Sequence, residues 1–285
     1  MAFAPAADVA FMAEMRPAHF AAAPRLRWIH SSAAGVGNML FPELVQSDVA
    51  LTNSSGVSAD PIAEHVVGLT LALFRKFPHA FRSQASRHWA QNDLVAPPPL
   101  RHVQGARVLI VGLGSIGAAC AWRFAALGAD VTAVRRRLGR PIPPGVSHVG
   151  TVDDLHQLLP HADVVVISAA QTGATRGLIG ERELSLMPAD AVLINVSRGK
   201  LVDERALIFA LQAGTIGGAG LDVFEHEPLA PESPLWALPN VIITPHMSGF
   251  RPDHWDAVTA LFAANLERFD RGEPLQNVVD KTAGY

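Results

Sequence analysis

The stretch that most constrains this 285-residue chain is Val108 to Gly117, VLIVGLGSIG. Val108, Leu109, Ile110 and Val111 predict a buried strand that runs directly into Gly112-Leu113-Gly114-Ser115-Ile116-Gly117. That is the G-x-G-x-x-G spacing, in which each glycine answers a steric demand. Gly112 permits the tight turn, Gly114 lets the backbone approach a pyrophosphate, and Gly117 lets the following helix pack against the strand. Backbone N–H groups and the partial positive charge at that helix N-terminus suit a diphosphate. Gly112, Gly114, Ser115, Ile116 and Gly117 are therefore read as dinucleotide-binding. On spacing alone an ordinary glycine turn accounts for the motif equally well. Its flanks decide.

Hydrophobic residues make up 49% of the chain and charged residues 17%, which describes a large-cored globular protein and not a disordered one. The length predicts two domains. A net charge of −3 offers no bulk attraction for nucleic acid or an anionic membrane, so neither is expected as a partner. The single cysteine, Cys120, excludes an intrachain disulfide framework and fits a reducing cytoplasm. It falls just inside the helix after the glycine turn and reads as core. The opening MAFAPAADVAFMAEM has no positive n-region, so no secretory signal is expected. The longest uncharged apolar run, Val108 to Trp122, reads as strand-turn-helix and not as a membrane span. No metal site is expected.

Taken in order, Asp8–Met12, Leu26–His30 and Val49–Thr52 predict short strands, the first two separated by an alanine-rich helical stretch. The second strand ends in SSAAGVG (31–37), a loop of small residues able to expose backbone N–H groups. Asp60 as N-cap, Pro61 at the first helical position and Glu64 in the first turn mark a helix start. Ile62, Val66, Leu69 and Leu73 give that helix one buried face. His65 sits beside the stripe, where a hydrogen-bonded helix histidine is a simpler reading than a catalytic one. Pro97-Pro98-Pro99 reads as a stiff linker and the domain boundary.

Beyond it strands are predicted at 107–112, 130–134, 163–167, 191–196, 217–222 and 241–244, and helices at 115–127, 152–159, 181–186 and 203–213. This alternation implies a doubly wound parallel sheet. A last helix, 253–271, carries Trp255, Val258, Leu261, Phe262, Leu266 and Phe269 on one face and is assigned to the first domain.

In dinucleotide folds the second strand usually ends in a carboxylate that binds the adenosine ribose and repels a 2′-phosphate. Here Asp130–Val134 is followed by Arg135, Arg136 and Arg137, then Arg140. Guanidinium groups suit a phosphate, so the run is read as favouring NADP(H) over NAD(H).

Three features then follow strand ends: NVSRG (195–199), GAGLDVFEHEP (218–228) and TPHMSG (244–249). They bring an arginine, carboxylates and an imidazole to one sheet edge, a set suited to hydride transfer to a 2-keto acid. Arginine holds a carboxylate and polarises a ketone. A histidine donates the proton as hydride arrives, and a neighbouring carboxylate orients it. Alternatives remain at this level: Arg198 pairing only with Asp222, Glu227 as a plain loop carboxylate, and His226 as the imidazole.

With VGLGSIG, the long run TRGLIGERELSLMPADAVLINVSRGKLVDERAL, GAGLDVFEHEPL and PLWALPNVIITPHMSG, the chain resembles the D-isomer-specific 2-hydroxyacid dehydrogenases over nearly its whole length. The resemblance implies an α/β protein with a Rossmann NAD(P)-binding domain (98–251) and a smaller flavodoxin-like substrate domain (1–97 and 252–285). It implies a 2-keto acid reductase of the glyoxylate/hydroxypyruvate type, with Arg198, Glu227 and His246 as the catalytic set. Ala34 and Gly35, with Arg198 and His246, would bind substrate. Ser197, Arg198, Asp222, His246 and Gly249 would line the cofactor crevice, and the protein would form a homodimer. Three departures stand out. The family's substrate domain opens with a further strand and helix, which this chain lacks before Asp8. Ser168–Thr172 replaces a common Leu-Pro, and Gly37 replaces a frequent acid. The same motifs would also suit a dinucleotide-sensing corepressor-like protein or an inactive truncated relative.

Overall fold

The computed structural model describes residues 5–284, so residues 1–4 of the segment read for a secretory signal, and residue 285, lie outside it. The chain divides into two compact units, Met1–Ser58 with Phe250–Tyr285, and Ala59–Gly249. Among the described residues no helix is long and apolar enough to cross a membrane.

In the first unit β1 (Val9–Met12), α1 (Pro17–Ala21), β2 (Trp28–Ser31), α2 (Pro42–Gln46) and β3 (Ala50–Asn53) build a parallel three-stranded sheet in the order β1-β2-β3. The central strand, WIHS, is buried along its whole length. It carries His30 with both ring nitrogens bonded: Nδ1 lies 2.7 Å from Thr52 Oγ1 and Nε2 3.3 Å from Ser54 Oγ. Ser54 Oγ spends its proton on the Ser31 carbonyl at 2.9 Å, so toward His30 it accepts and Nε2 carries a proton, while Trp28 Nε1 donates to the same Thr52 oxygen at 2.8 Å. Burial pushes the His30 pKa down to about 4.

The second unit begins with α3 (Ala59–Phe74), α4 (Phe77–Ala85) and α5 (Gln91–Val95). Its sheet strands are β4 (Arg107–Val111), β5 (Asp130–Val134), β6 (His148–Gly150), β7 (Val164–Ile167), β8 (Val192–Asn195), β9 (Gly218–Leu221) and β10 (Val241–Ile243). Between them run α6 (Ser115–Ala126), α7 (Leu155–Leu158), α8 (Glu181–Leu186) and α9 (Glu204–Ala213). All seven strands are parallel, in the order β10-β9-β8-β7-β4-β5-β6. The order reverses between β4 and β7, which makes a crevice at their carboxyl ends. β7 and β8 are buried at every residue because helices cover both faces.

The unit starts at Ala59 and not after the proline run, which lies inside it. The cause is α3: Ala63, Val66, Leu69 and Phe74 share one core with Val108, Ile110, Phe124 and Ile194. Asp60, read as an N-cap, lies within the helix, and its carboxylate pairs with Arg123 at 3.0 Å. The short strand β6 and the helices α4 and α5 carry too little periodicity to be predicted.

The chain closes in the first unit with α10 (His254–Asp270), which lays Phe262 and Phe269 on Trp28 at centroid distances of 5.3 and 5.4 Å. Its inward stripe runs through Val258 and Asn265, which are buried, and Phe262 and Phe269, which are half-buried, and Asn265 exchanges hydrogen bonds with the Gln276 backbone. Leu266 lies one residue off that stripe, and it and Trp255 are exposed.

At the β4–α6 turn a Cβ on Gly112 would stand 2.4 Å from the Ala169 backbone, and Gly112 has φ +102°. A Cβ on Gly117 would meet the Gly112 carbonyl oxygen at 2.2 Å. Gly117→Ala should therefore lower stability by about 1–3 kcal/mol through overpacking, read as a shifted urea midpoint. An unchanged midpoint would contradict the close approach. A second prediction concerns His30. The unfolded histidine takes its proton near pH 6.5 and the folded one near 4, so the folded chain binds fewer protons between those values. Stability should fall as pH is lowered from about 6.5 to 4, more steeply than in His30→Gln. Equal slopes in urea titrations would refute this.

Candidate active site

Within the second unit, each loop with predicted chemistry leaves the carboxyl end of a strand in the seven-stranded sheet. Gly112 follows β4, Arg135 follows β5, Arg198 follows β8, Asp222 follows β9, and His246 follows β10 by three residues. Because the strands are parallel, all these loops emerge on one edge.

A cavity of about 260 Å³ opens there, lined by Gln171, Arg198, Lys200, Phe224, Glu227 and His246 among others. It brings together the three residues read as the catalytic set. His246 Nδ1 lies 2.6 Å from Glu227 Oε2, so Nδ1–H donates to the carboxylate and Nε2 is left for chemistry. Glu227 is itself held, since Phe224 N donates to its Oε1 at 3.0 Å. Both side chains are partly exposed, so the pair contributes orientation more than stability. His226 is exposed and lies outside the cavity lining. The sequence reading missed Lys200 and Phe224 as lining residues; the only signal was their adjacency to Arg198 and Asp222.

Arg198 is exposed, with Nη1 donating to Ser197 O at 2.7 Å. It does not provide the donors to Asp222. Those are Thr244 Oγ1 at 2.6 Å and Met247 N at 2.9 Å on Oδ1, and Ser248 N at 3.0 Å on Oδ2. Asp222 is wholly buried, so its carboxylate offers a cofactor no direct contact and holds the 244–248 segment instead. Ser197 is buried and its hydroxyl donates to the Ala169 carbonyl. Gly249, at the end of the same segment, is partly buried.

At the glycine turn, Gly114 is the extended N-cap of α6, and a Cβ there would stand in open space. Ser115 opens the helix and is exposed, and Ile116 is partly buried. This leaves the helix N-terminus accessible to an anion, as a dinucleotide requires. The arginine run divides. Arg135 is buried, and its guanidinium donates to the carbonyls of Leu138, Arg140 and Pro141, bracing its own loop. Its predicted role as a phosphate ligand is therefore corrected. Arg136 and Arg137 are exposed. Ala34 and Gly35 are exposed in the first unit, where Asn53 Nδ2 donates to the Ala34 carbonyl at 2.7 Å. Cys120 is buried, and burial pushes its thiol up to about 12, so it is core and not a nucleophile.

Residues 67–248 match the family model described as D-isomer specific 2-hydroxyacid dehydrogenase, NAD binding domain. A glyoxylate reductase of Korarchaeum cryptofilum is 36% identical over 268 residues, covering 92% of this chain and 78% of that protein. Among solved structures, a D-isomer specific 2-hydroxyacid dehydrogenase from Xanthobacter autotrophicus Py2, in complex with NADPH and MES, is similar with a TM-score of 0.84. It is 35% identical, covering 97% of this chain and 85% of that one. An NADPH-dependent glyoxylate/hydroxypyruvate reductase from Sinorhizobium meliloti, in complex with NADP and sulfate, is similar with a TM-score of 0.86. It is 29% identical, covering 98% of this chain and 87% of that one. The chain belongs to the D-isomer-specific 2-hydroxyacid dehydrogenase family, and the domain it shares with that family binds a nicotinamide dinucleotide.

Proposed function

We propose that the protein is an NADPH-preferring reductase of 2-keto acids, yielding D-2-hydroxy acids from glyoxylate, hydroxypyruvate or a larger substrate. The observation that carries this reading is the His246–Glu227 pair at 2.6 Å in the cavity that Arg198 also lines. The glycine turn at Gly112–Gly117, with Arg136 and Arg137, would hold the dinucleotide, whose dihydronicotinamide would supply a hydride for the carbonyl carbon. His246 donates the proton from Nε2 to the carbonyl oxygen, so one hydride and one proton make the hydroxyl. Glu227, on the opposite ring nitrogen, fixes the tautomer and stabilises the imidazolium that awaits substrate. Arg198 holds the substrate carboxylate and polarises the ketone.

The preference for NADPH is supported by Arg136 and Arg137, exposed after β5 where an acid would repel a 2′-phosphate. The two solved relatives above are in complex with NADPH and with NADP. A homodimer in the cytoplasm completes the proposal; exposed Phe77, Phe81 and Trp89 support self-association.

Purified protein should oxidise NADPH in the presence of glyoxylate or hydroxypyruvate, followed by absorbance. His246→Ala should lose roughly 10²–10⁴-fold in kcat while still binding NADPH. Cofactor binding by the unaltered protein with no turnover on any 2-keto acid would favour a dinucleotide sensor or an inactive relative. Separately, Arg136→Asp should raise the KM for NADPH about tenfold or more while sparing that for NADH. Equal effects on the two cofactors would overturn the NADPH preference.

A further inference from the structure

His246 has φ +52°, in the left-handed region that is costly for a residue with a Cβ. Something must hold it there, and the donors around it converge on one residue. Asp222 accepts Thr244 Oγ1, Met247 N and Ser248 N through its side chain, and His246 N at 2.9 Å through its backbone carbonyl. The bonded positions lie two before, at, one after and two after the imidazole-bearing backbone. A buried carboxylate thus grips the segment on both sides of His246.

Thr244 then links this grip to a helix. Its single hydroxyl proton goes to Asp222 Oδ1, so toward His65 Nε2, 3.0 Å away, the same oxygen accepts. His65 is therefore protonated on Nε2. It stands on α3, whose buried face is locked into the core beneath the sheet. His65 Nε2 lies 3.9 Å from Asp222 Oδ1, too far for a direct bond to replace the threonine.

We infer that His65 and Thr244 are positioning residues for His246, acting through Asp222 to fix the imidazole for proton donation. This rests on the reading of His246 as proton donor. A misplacement of about 1 Å in such a group lowers turnover by up to roughly a hundredfold, whereas cofactor affinity is set elsewhere. The chain His65–Thr244–Asp222 should therefore govern kcat and leave NADPH binding alone.

The test compares Thr244→Val, nearly isosteric but without the hydroxyl, with Thr244→Ser, which keeps it, and His65→Phe, which removes the donor. Thr244→Val should lower kcat for glyoxylate with NADPH by about ten- to a hundredfold, and His65→Phe by a smaller factor. The dissociation constant for NADPH, by fluorescence titration, should stay within about twofold in both, and Thr244→Ser should restore most of the rate. In parallel, NMR of ¹³C-histidine-labelled protein should show the His246 ring titration displaced in Thr244→Val but not in Thr244→Ser. Unaltered kcat and an unaltered His246 titration in Thr244→Val would overturn the inference. So would equal losses in the Val and Ser variants. If the unaltered protein reduces no keto acid, the functional reading fails by itself. The NMR comparison then decides the positioning role alone, an unmoved His246 titration refuting it.

Discussion

The backbone of Gly112 lies against the backbone of Ala169 with no room between them for a side chain. That contact spans β4 and β7, the two strands where the sheet order reverses, and Ser168 Oγ adds a hydrogen bond of 2.7 Å to the Gly112 carbonyl. Because Gly117 sits as tightly on Gly112, α6 is drawn down onto the sheet and its N-terminus faces the crevice. The crevice is therefore a consequence of three backbone segments packed at van der Waals limits. Around it, parallel pairing sends every following loop to the same edge, so chemistry distant in sequence converges without any further device.

Within that edge the polar groups serve two distinct purposes. Glu227 and His246 are partly exposed and face the cavity, where a proton can be exchanged. Asp222 is buried and its bonds all run to the protein, so its charge is used to fix a backbone. The strained backbone at His246 is stable because those bonds over-determine it. A strained residue held by a buried acceptor is a sensible way to aim an imidazole that must itself stay open to solvent and substrate.

Much of the fold was legible in the sequence because the second unit is made of continuous apolar strands and well-separated helices. VVVI at 164–167 and VLIN at 192–195 read as buried strands, and buried strands they are. The cavity residues Arg198, Glu227 and His246 were legible too, since each follows a strand end. The arginine run was read less well. Composition marks Arg135, Arg136 and Arg137 as equivalent cations, yet Arg135 points inward to three carbonyls of its own loop. The direction of a side chain at the end of a strand depends on how the loop folds back, and no local pattern records that. His65 was likewise seen only as a residue beside an apolar stripe, because its partner Thr244 lies 179 residues away.

The sequence by itself determined the doubly wound second unit, its glycine turn, and which side chains reach the ends of its strands, because periodicity and steric need at glycine are local properties. Only the tertiary structure decided where the compact units divide, since α3 joins the second unit through contacts with strands far along the chain. It alone separated the arginine that braces a loop from those that face solvent. It also showed that Asp222 clamps a segment, and that His65 completes the clamp. Those assignments depend on which donors meet which acceptors, and that is fixed only when distant parts of the chain are packed together.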